Sequence, residues 1–168
     1  MINFDDFDSN PFTPEHGSND ELFDIEKFNR VYHANYKNDL KIFHLNIRSL
    51  AYNGDNLLGY LALLKQQFDV ICLSETWLNE NRFIENSFLD YNQFHSRRPA
   101  NQPPGGGCAI LVKKSFISNE LFHLSCNLNH IECVFVEILH QNNKMYIGSS
   151  YRKPNPMNSP FFIDDITF

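Results

Sequence analysis

A chain of 168 residues holds one domain's worth of sequence, long enough to bury a core of its own. Its net charge of −6 counts against the basic footprint of a tight non-specific nucleic-acid binder. The charge is uneven, since the first forty residues hold nine acids against three cations and the remainder holds eleven of each.

The opening Met1-Ile2-Asn3-Phe4-Asp5-Asp6 carries neither the basic region nor the apolar core of a secretory signal. No apolar run reaches the roughly 18 residues needed to cross a bilayer. The expected location is nuclear or cytoplasmic, with no membrane partner and no secretion. Cys72, Cys108, Cys126 and Cys133 show no CxxC spacing, and three of them lie in apolar runs. They read as buried free thiols in a reducing compartment.

Residues 1–40 alternate acids with aromatics, as in Phe4-Asp5-Asp6-Phe7-Asp8. Such a segment has little contiguous apolar surface to offset its ordering entropy, so a mostly disordered acidic leader is expected. Within it, Glu21–Val31 has the makings of a short helix. A domain is expected from Lys41 to Phe168. Lys41–Asn46 reads as a buried strand, with His44 a satisfied core histidine. Asn53-Gly54-Asp55 reads as a turn in which Asp55 caps a helix. Leu57, Leu61, Leu64 and Phe68 form one face of that helix, which is expected to end near Gln67. Val70-Ile71-Cys72-Leu73 is a second buried strand, closed by Ser74 and Glu75.

A strand–helix–strand unit crosses over right-handed and leaves its two strands parallel. Parallel strands end on the same edge, so Asn46 and Glu75 are expected to share one rim. Open α/β sheets bind their ligands at such rims. A carboxylate beside a side-chain amide suits Mg²⁺ (or Mn²⁺), a hard ion that takes oxygen ligands and keeps several waters. Alone, Glu75 reads as a solvated loop carboxylate and Asn46 as a strand terminator. Together they point to phosphate-ester chemistry.

Beyond Leu78 the pattern is mixed β. Strands are predicted at Tyr91–His95, Cys108–Lys113, Leu121–Leu124, Ile131–Leu139 and Lys144–Tyr151, the last two forming a hairpin through Gln141-Asn142-Asn143. A loop runs from Arg97-Arg98-Pro99 to Gly107, and its arginines read as a solvated pair rather than phosphate ligands. Gly105-Gly106-Gly107 is not a Walker loop, because no Lys-Ser/Thr and no helix follow it. Tyr151-Arg152-Lys153-Pro154 is either an edge strand halted by proline or a phosphate-contacting hydroxyl flanked by positive charge. Ser159-Pro160 looks like the start of a helix.

The series Leu45-Asn46-Ile47-Arg48-Ser49-Leu50, Asp69 to Leu78 with its Ser74-Glu75-Thr76-Trp77, Gly105 to Ile110, Glu132 to Ile138, and Tyr151-Arg152-Lys153-Pro154 resembles the endonuclease/exonuclease/phosphatase superfamily. More narrowly it resembles the apurinic-endonuclease-like domain in the reverse-transcriptase polyprotein of non-LTR retrotransposons, over residues 41–168. The resemblance implies an α/β fold of mixed sheets, the N-terminal half of a two-sheet, four-layer sandwich. It implies catalytic roles for Asn46, Glu75 and Tyr151, a metal held by Glu75 and Asn46, and substrate contacts from Arg48 and Arg152. The implied cofactor is Mg²⁺ or Mn²⁺, and the implied substrate is double-stranded DNA, nicked by a water that a histidine–aspartate pair activates. Lys153 stands where many relatives have a proline.

The family's Gly-Asp-Phe-Asn segment and Asp-His pair have no counterpart in the 168 residues. The expectation is therefore a fragment with little activity and an uncovered apolar sheet face. Its complement would be the other half of the domain, or a reverse-transcriptase region if the frame continues. A phosphoesterase acting on lipid or inositol phosphates is the second enzyme reading. A non-catalytic interaction protein is the third.

Overall fold

The computed structural model describes residues 25–35, 39–81, 88–96, 98–101, 104–127 and 131–153. The apolar run Val70–Ser74 forms β2, and β1 (Ile42–Asn46) lies parallel to it with Asn46 opposite Ser74. On the other side of β2 runs β4 (Cys108–Lys113), antiparallel, followed by β3 (Tyr91–His95). The first sheet therefore has the order β1-β2-β4-β3. The expected parallel pair is present, and both of its strands end at one rim.

A second sheet is organised by β7 (Ile131–His140), which pairs along its whole length with β8 (Asn143–Arg152). The short strands β5 (Ile117–Glu120) and β6 (Cys126–Asn127) pair with successive stretches of β7. A strand has two edges and β8 fills one, so β5 and β6 share the other. Gln141 and Asn142 both take positive φ, 49° and 64°. That is the two-residue turn whose twist matches the strands it joins. Asn143 accordingly belongs to β8 rather than to the turn.

Val70, Cys72, Ile110 and Val112 face Val134, Val136 and Ile138 to form the core between the sheets. On the opposite face Ile71, Leu73, Ala109 and Leu111 pack against α2 (Leu50–Leu63) and the turn after it, through Leu57, Leu64 and Phe68. Burial on both faces explains why β2 and β4 are unbroken apolar runs instead of alternating ones. α1 (Ile25–Asn35) adds Ile25 and Phe28 to this second core, and Asn29 donates to the Leu63 carbonyl at 3.0 Å. The helix expected over Glu21–Val31 is thus present from Ile25 to Asn35 among the described residues. The expected acidic stretch before Ile25 and the expected helix at Ser159-Pro160 lie outside the described residues.

Four local expectations are corrected. β1 is not a buried strand: Ile42 and His44 are exposed, because the second sheet packs over β2 and β4 and leaves this face of β1 open. His44 is therefore a surface residue. Asp55 is no cap, since α2 begins at Leu50 and Asn53 already makes its first helical bond, to the Ser49 carbonyl at 2.9 Å. The Asn53 amide also donates to the carbonyls of Ile47 and Arg48 at 2.9 Å, so the Asn-Gly-Asp signal marks a helix entry. The helix stops at Leu63, short of Gln67, where Lys65 turns left-handed with φ 50°. Leu121–Leu124 is a turn closed by bonds from Leu124 and Ser125 to the Leu121 carbonyl, and the strand falls instead at Ile117–Glu120.

Three layers are present among the described residues: helices, first sheet, second sheet. On the outer face of the second sheet Ile117, Leu139 and Tyr146 are exposed. The Lys144–Glu137 ion pair shares that face, and the face of the first sheet that was expected to lie uncovered is instead packed by the second sheet.

Candidate active site

The rim is assembled by hydrogen bonds that continue the β1–β2 pairing past the ends of the strands. The amides of Ile47, Ser49 and Leu50 donate to the carbonyls of Ser74, Glu75 and Thr76 at 2.9, 2.8 and 2.9 Å. These bonds satisfy the Ser49 and Leu50 amides that open α2, and Ser49 makes no side-chain cap. The price is backbone strain. Arg48, Ser49, Glu75 and Trp77 have φ of 45°, 84°, 54° and 57°, which disfavours residues with a Cβ and concentrates where function over-determines the backbone.

The outcome is one defined contact. Asn46 Nδ2 donates to Glu75 Oε1 at 3.2 Å, while Asn46 Oδ1 accepts the Arg48 amide at 3.3 Å. The second bond fixes which way the asparagine amide points. Asn46 therefore orients the Glu75 carboxylate with a donor, while Oδ1 keeps a lone pair for a further partner. Asn46 is exposed and Glu75 half-buried, so this contact is open to solvent.

The other side of the Glu75 loop is zipped to the glycine turn. Thr76 N donates to the Gly107 carbonyl at 3.2 Å and Trp77 N to the Gly106 carbonyl at 2.9 Å. Gly106 and Gly107 sit at φ 70° and 86°. A Cβ on Gly107 would lie 2.6 Å from Thr76 Oγ1, and one on Gly106 would lie 2.9 Å from Glu132 Oε2 and 3.0 Å from Tyr151 Cε1. The glycines are required by close approach as much as by conformation.

Tyr151 stands opposite Glu132 on β8 and packs at the edge of the core between the sheets. Burial, then the charges of Glu75 and Glu132, holds its phenol above the ordinary value, so it is a proton-bearing donor at neutral pH. Arg48 is exposed on the rim beside Asn46. Arg152 follows Tyr151 on β8, and strand alternation directs it to the opposite face of the sheet. The structure thus gathers Asn46, Glu75, Tyr151 and Arg48 at one end and turns Arg152 away.

Two residues went unrecognised in the sequence. Arg98, expected as solvated, is only 4% exposed, and Glu132, to which the sequence assigned no role, is fully buried. Their charges meet at 3.0 Å, Arg98 Nε to Glu132 Oε1, with Lys153 Nζ at 3.4 Å. A glutamate at an inward position of an apolar strand was the available signal, since a buried carboxylate needs a cation.

Among the described residues no three His, Cys, Asp or Glu side chains cluster to cage a metal. Glu75 offers one carboxylate. That donor set fits Mg²⁺, which is commonly held by one or two carboxylates and several waters, and does not fit a four-ligand zinc site.

The family model for the endonuclease/exonuclease/phosphatase family matches residues 40–161. The chain belongs to this family. A search of curated proteins gives no match. Among solved structures, D. rerio TDP2 complexed with a single-strand DNA product superposes with a TM-score of 0.50 at 20% identity, over 71% of this chain and 48% of that one. The Archaeoglobus fulgidus AP endonuclease gives 0.45 at 16% identity, over 64% and 40%, and the Xenopus laevis APE2 catalytic domain 0.44 at 20%, over 67% and 44%. The chain spans less than half the length of these structures. The endonuclease/exonuclease/phosphatase assignment accounts for a mixed sheet packed on an antiparallel one.

Proposed function

We propose that the rim is the metal- and phosphate-binding part of a divalent-metal-dependent phosphodiesterase acting on DNA, of the kind that nicks target DNA for a non-LTR retrotransposon. The carrying observation is the Asn46–Glu75 contact across the ends of two parallel strands. The wording Leu45-Asn46-Ile47-Arg48-Ser49-Leu50 and Ser74-Glu75-Thr76-Trp77-Leu78 supports the retrotransposon branch over one acting on lipid or inositol phosphates.

In this reading Glu75 would hold Mg²⁺ or Mn²⁺, and Asn46 would offer a further oxygen. When bound, the ion supplies a Lewis acid that offsets charge growing on the phosphoryl oxygens. Asn46 Nδ2 keeps the Glu75 carboxylate turned to the rim. Tyr151, protonated at neutral pH, donates its O–H to a non-bridging phosphate oxygen. Arg48, exposed beside Asn46, meets the backbone of double-stranded DNA and positions it without reading sequence.

No general base is assigned among the described residues, and the lack of one typically removes about 10²–10⁴ in rate. We therefore expect weak nicking by this chain alone. The test pairs Mn²⁺ titration with nicking of supercoiled plasmid in Mg²⁺, for the 168-residue chain and for Glu75→Ala. Both signals should fall by about 100-fold, the upper range for perturbing a metal site. Unchanged Mn²⁺ affinity in Glu75→Ala would sink the proposal. Release of phosphate from inositol phosphates without nicking would move the chain to the other branch.

A further inference from the structure

Glu132 lies on β7, in the second sheet, yet its carboxylate reaches the rim of the first. It is fully buried, and its Oε2 accepts the amide of Gly107. Its Oε1 lies 3.0 Å from Arg98 Nε and 3.4 Å from Lys153 Nζ. Among the described residues no N–H is aligned on that oxygen, and the two cations hold it by charge. The next links run outward. Gly107 and Gly106 offer their carbonyls to the amides of Thr76 and Trp77, the residues just after Glu75. From the far side, Ser49 and Leu50 hold the carbonyls of Glu75 and Thr76. The Glu75 loop is thereby clamped between two sets of main-chain bonds, and it needs the clamp because Glu75 and Trp77 are both left-handed.

Arg98 reinforces the same side. A Cβ on Gly107 would lie 3.6 Å from Arg98 Cδ, so the arginine stem lies against the glycine turn, and the Arg98 carbonyl accepts the Glu80 amide at 3.0 Å. One carboxylate therefore fixes the turn through its amide and neutralises the cation that packs on it. A fully buried glutamate is retained against a desolvation cost that an apolar residue would avoid. That cost is understandable if the carboxylate sets a geometry elsewhere.

We propose that Glu132 is a positioning residue for the Glu75 site: with Arg98 it locks the Gly106-Gly107 turn, which sets the left-handed backbone that points Glu75 at Asn46. The inference rests on the function proposed above. It adds that metal affinity depends on a carboxylate that does not face the metal.

The test is a Mn²⁺ titration of the full chain and of Glu75→Gln, Glu132→Gln, Glu132→Asp and the Glu75→Gln/Glu132→Gln double variant. Folding is checked by near-ultraviolet circular dichroism, and the emission of Trp77, the single tryptophan, reports the loop. Removing an outer partner of a metal ligand lowers affinity about 10–100-fold. Glu132→Gln should show a loss in that range with a shifted Trp77 emission. In the Glu75→Gln background it should cause no further loss. Glu132→Asp keeps the charge beside Arg98 but is one methylene short of the Gly107 amide, so it decides the matter if Glu132→Gln does not fold, with an expected loss of about tenfold. Wild-type Mn²⁺ affinity in folded Glu132→Asp or Glu132→Gln would overturn the proposal, as would an equal loss with and without Glu75. A wild-type chain whose Mn²⁺ binding is indifferent to Glu75→Gln would instead overturn the functional reading beneath it.

Discussion

At the end of the first sheet where β1 and β2 finish, Arg48, Ser49, Glu75 and Trp77 take left-handed backbone and a polar pair, Asn46 and Glu75, meets in the open. At the opposite end a cleft of about 470 Å³ lies among Leu58, Phe68, Ile71, Phe88, Tyr91 and Lys113. Lys65, Gln141 and Asn142 are left-handed towards that end, but at a helix end and in a hairpin turn, where such backbone is ordinary. The polar groups there close on the protein itself: Tyr91 OH on the Phe68 carbonyl at 2.7 Å, Lys113 Nζ on Gln67 Oε1 at 2.8 Å, and the Lys41 amide on Asp69 Oδ2 at 2.9 Å. The difference separates a region built for stability from one that tolerates strain. A metal-and-phosphate site of the kind proposed needs oriented charge more than an enclosed cavity.

The sharpest way to break this contrast is Arg98→Ala. It leaves Glu132 buried with Lys153 as its remaining cation, one that is a third exposed. Removing one partner of a buried ion pair costs about 3–5 kcal/mol. Urea unfolding should show that loss, and Mn²⁺ affinity should fall with it even in the molecules that remain folded. A loss of stability with unchanged metal affinity would make the rim no different from the rest of the core.

The strand-and-helix frame was legible because β2 and β4 are apolar runs closed by polar residues, and because the leucine spacing of α2 is unambiguous. Parallel pairing then followed from handedness, and with it the shared rim of Asn46 and Glu75. What stayed hidden depends on contacts between elements remote in sequence. Glu132 sits in an apolar strand 34 residues beyond Arg98, and nothing local says that their charges meet. The exposure of His44 likewise depends on how far the second sheet extends over β1. The α2 boundary was misplaced for a different reason: its start at Ser49 is set by main-chain bonds to the Glu75 loop, a contact remote in sequence, while Asn53-Gly54-Asp55 offered a nearer local signal.

A smaller effect, graded along the same axis, is expected at alkaline pH. Mid-strand Cys72 is pushed up from 9.0 to about 11 by burial alone. At the rim end, Cys108 is pushed up to about 12 by burial and then by the charge of Glu132. Folded thiols thus keep their protons where unfolded ones lose them. The stability they contribute is complete below pH 9 and is lost as pH rises towards the folded values. The slope is about 1.4 kcal/mol per pH unit for each thiol over its own interval. The Tyr91 and Tyr151 phenols, also raised, add the same sign above pH 10. Urea midpoints measured from pH 8 to pH 10.5 should fall steadily, and Cys72→Ala should flatten the early part of the curve. Stability that rises with pH over this range would contradict the burial of these groups.

The mildest change tests the far end. Tyr91→Phe removes the phenol that donates to the Phe68 carbonyl but keeps the ring, which packs edge-on against Phe88 with centroids 6.3 Å apart. The expected cost is about 0.5–1.5 kcal/mol, the net worth of one such bond. The chain should bind Mn²⁺ as the wild type does, because the phenol's partner, the Phe68 carbonyl, lies at the other end of β2 from Glu75. The same size of perturbation at the rim, Asn46→Ala, inverts the outcome: an exposed side chain contributes little to stability, but its loss frees the Glu75 carboxylate to rotate and should weaken Mn²⁺ binding about tenfold. If Tyr91→Phe also weakened the metal, the two ends would be coupled through β2. The division between a stabilising end and a working end would then give way to a single cooperative unit.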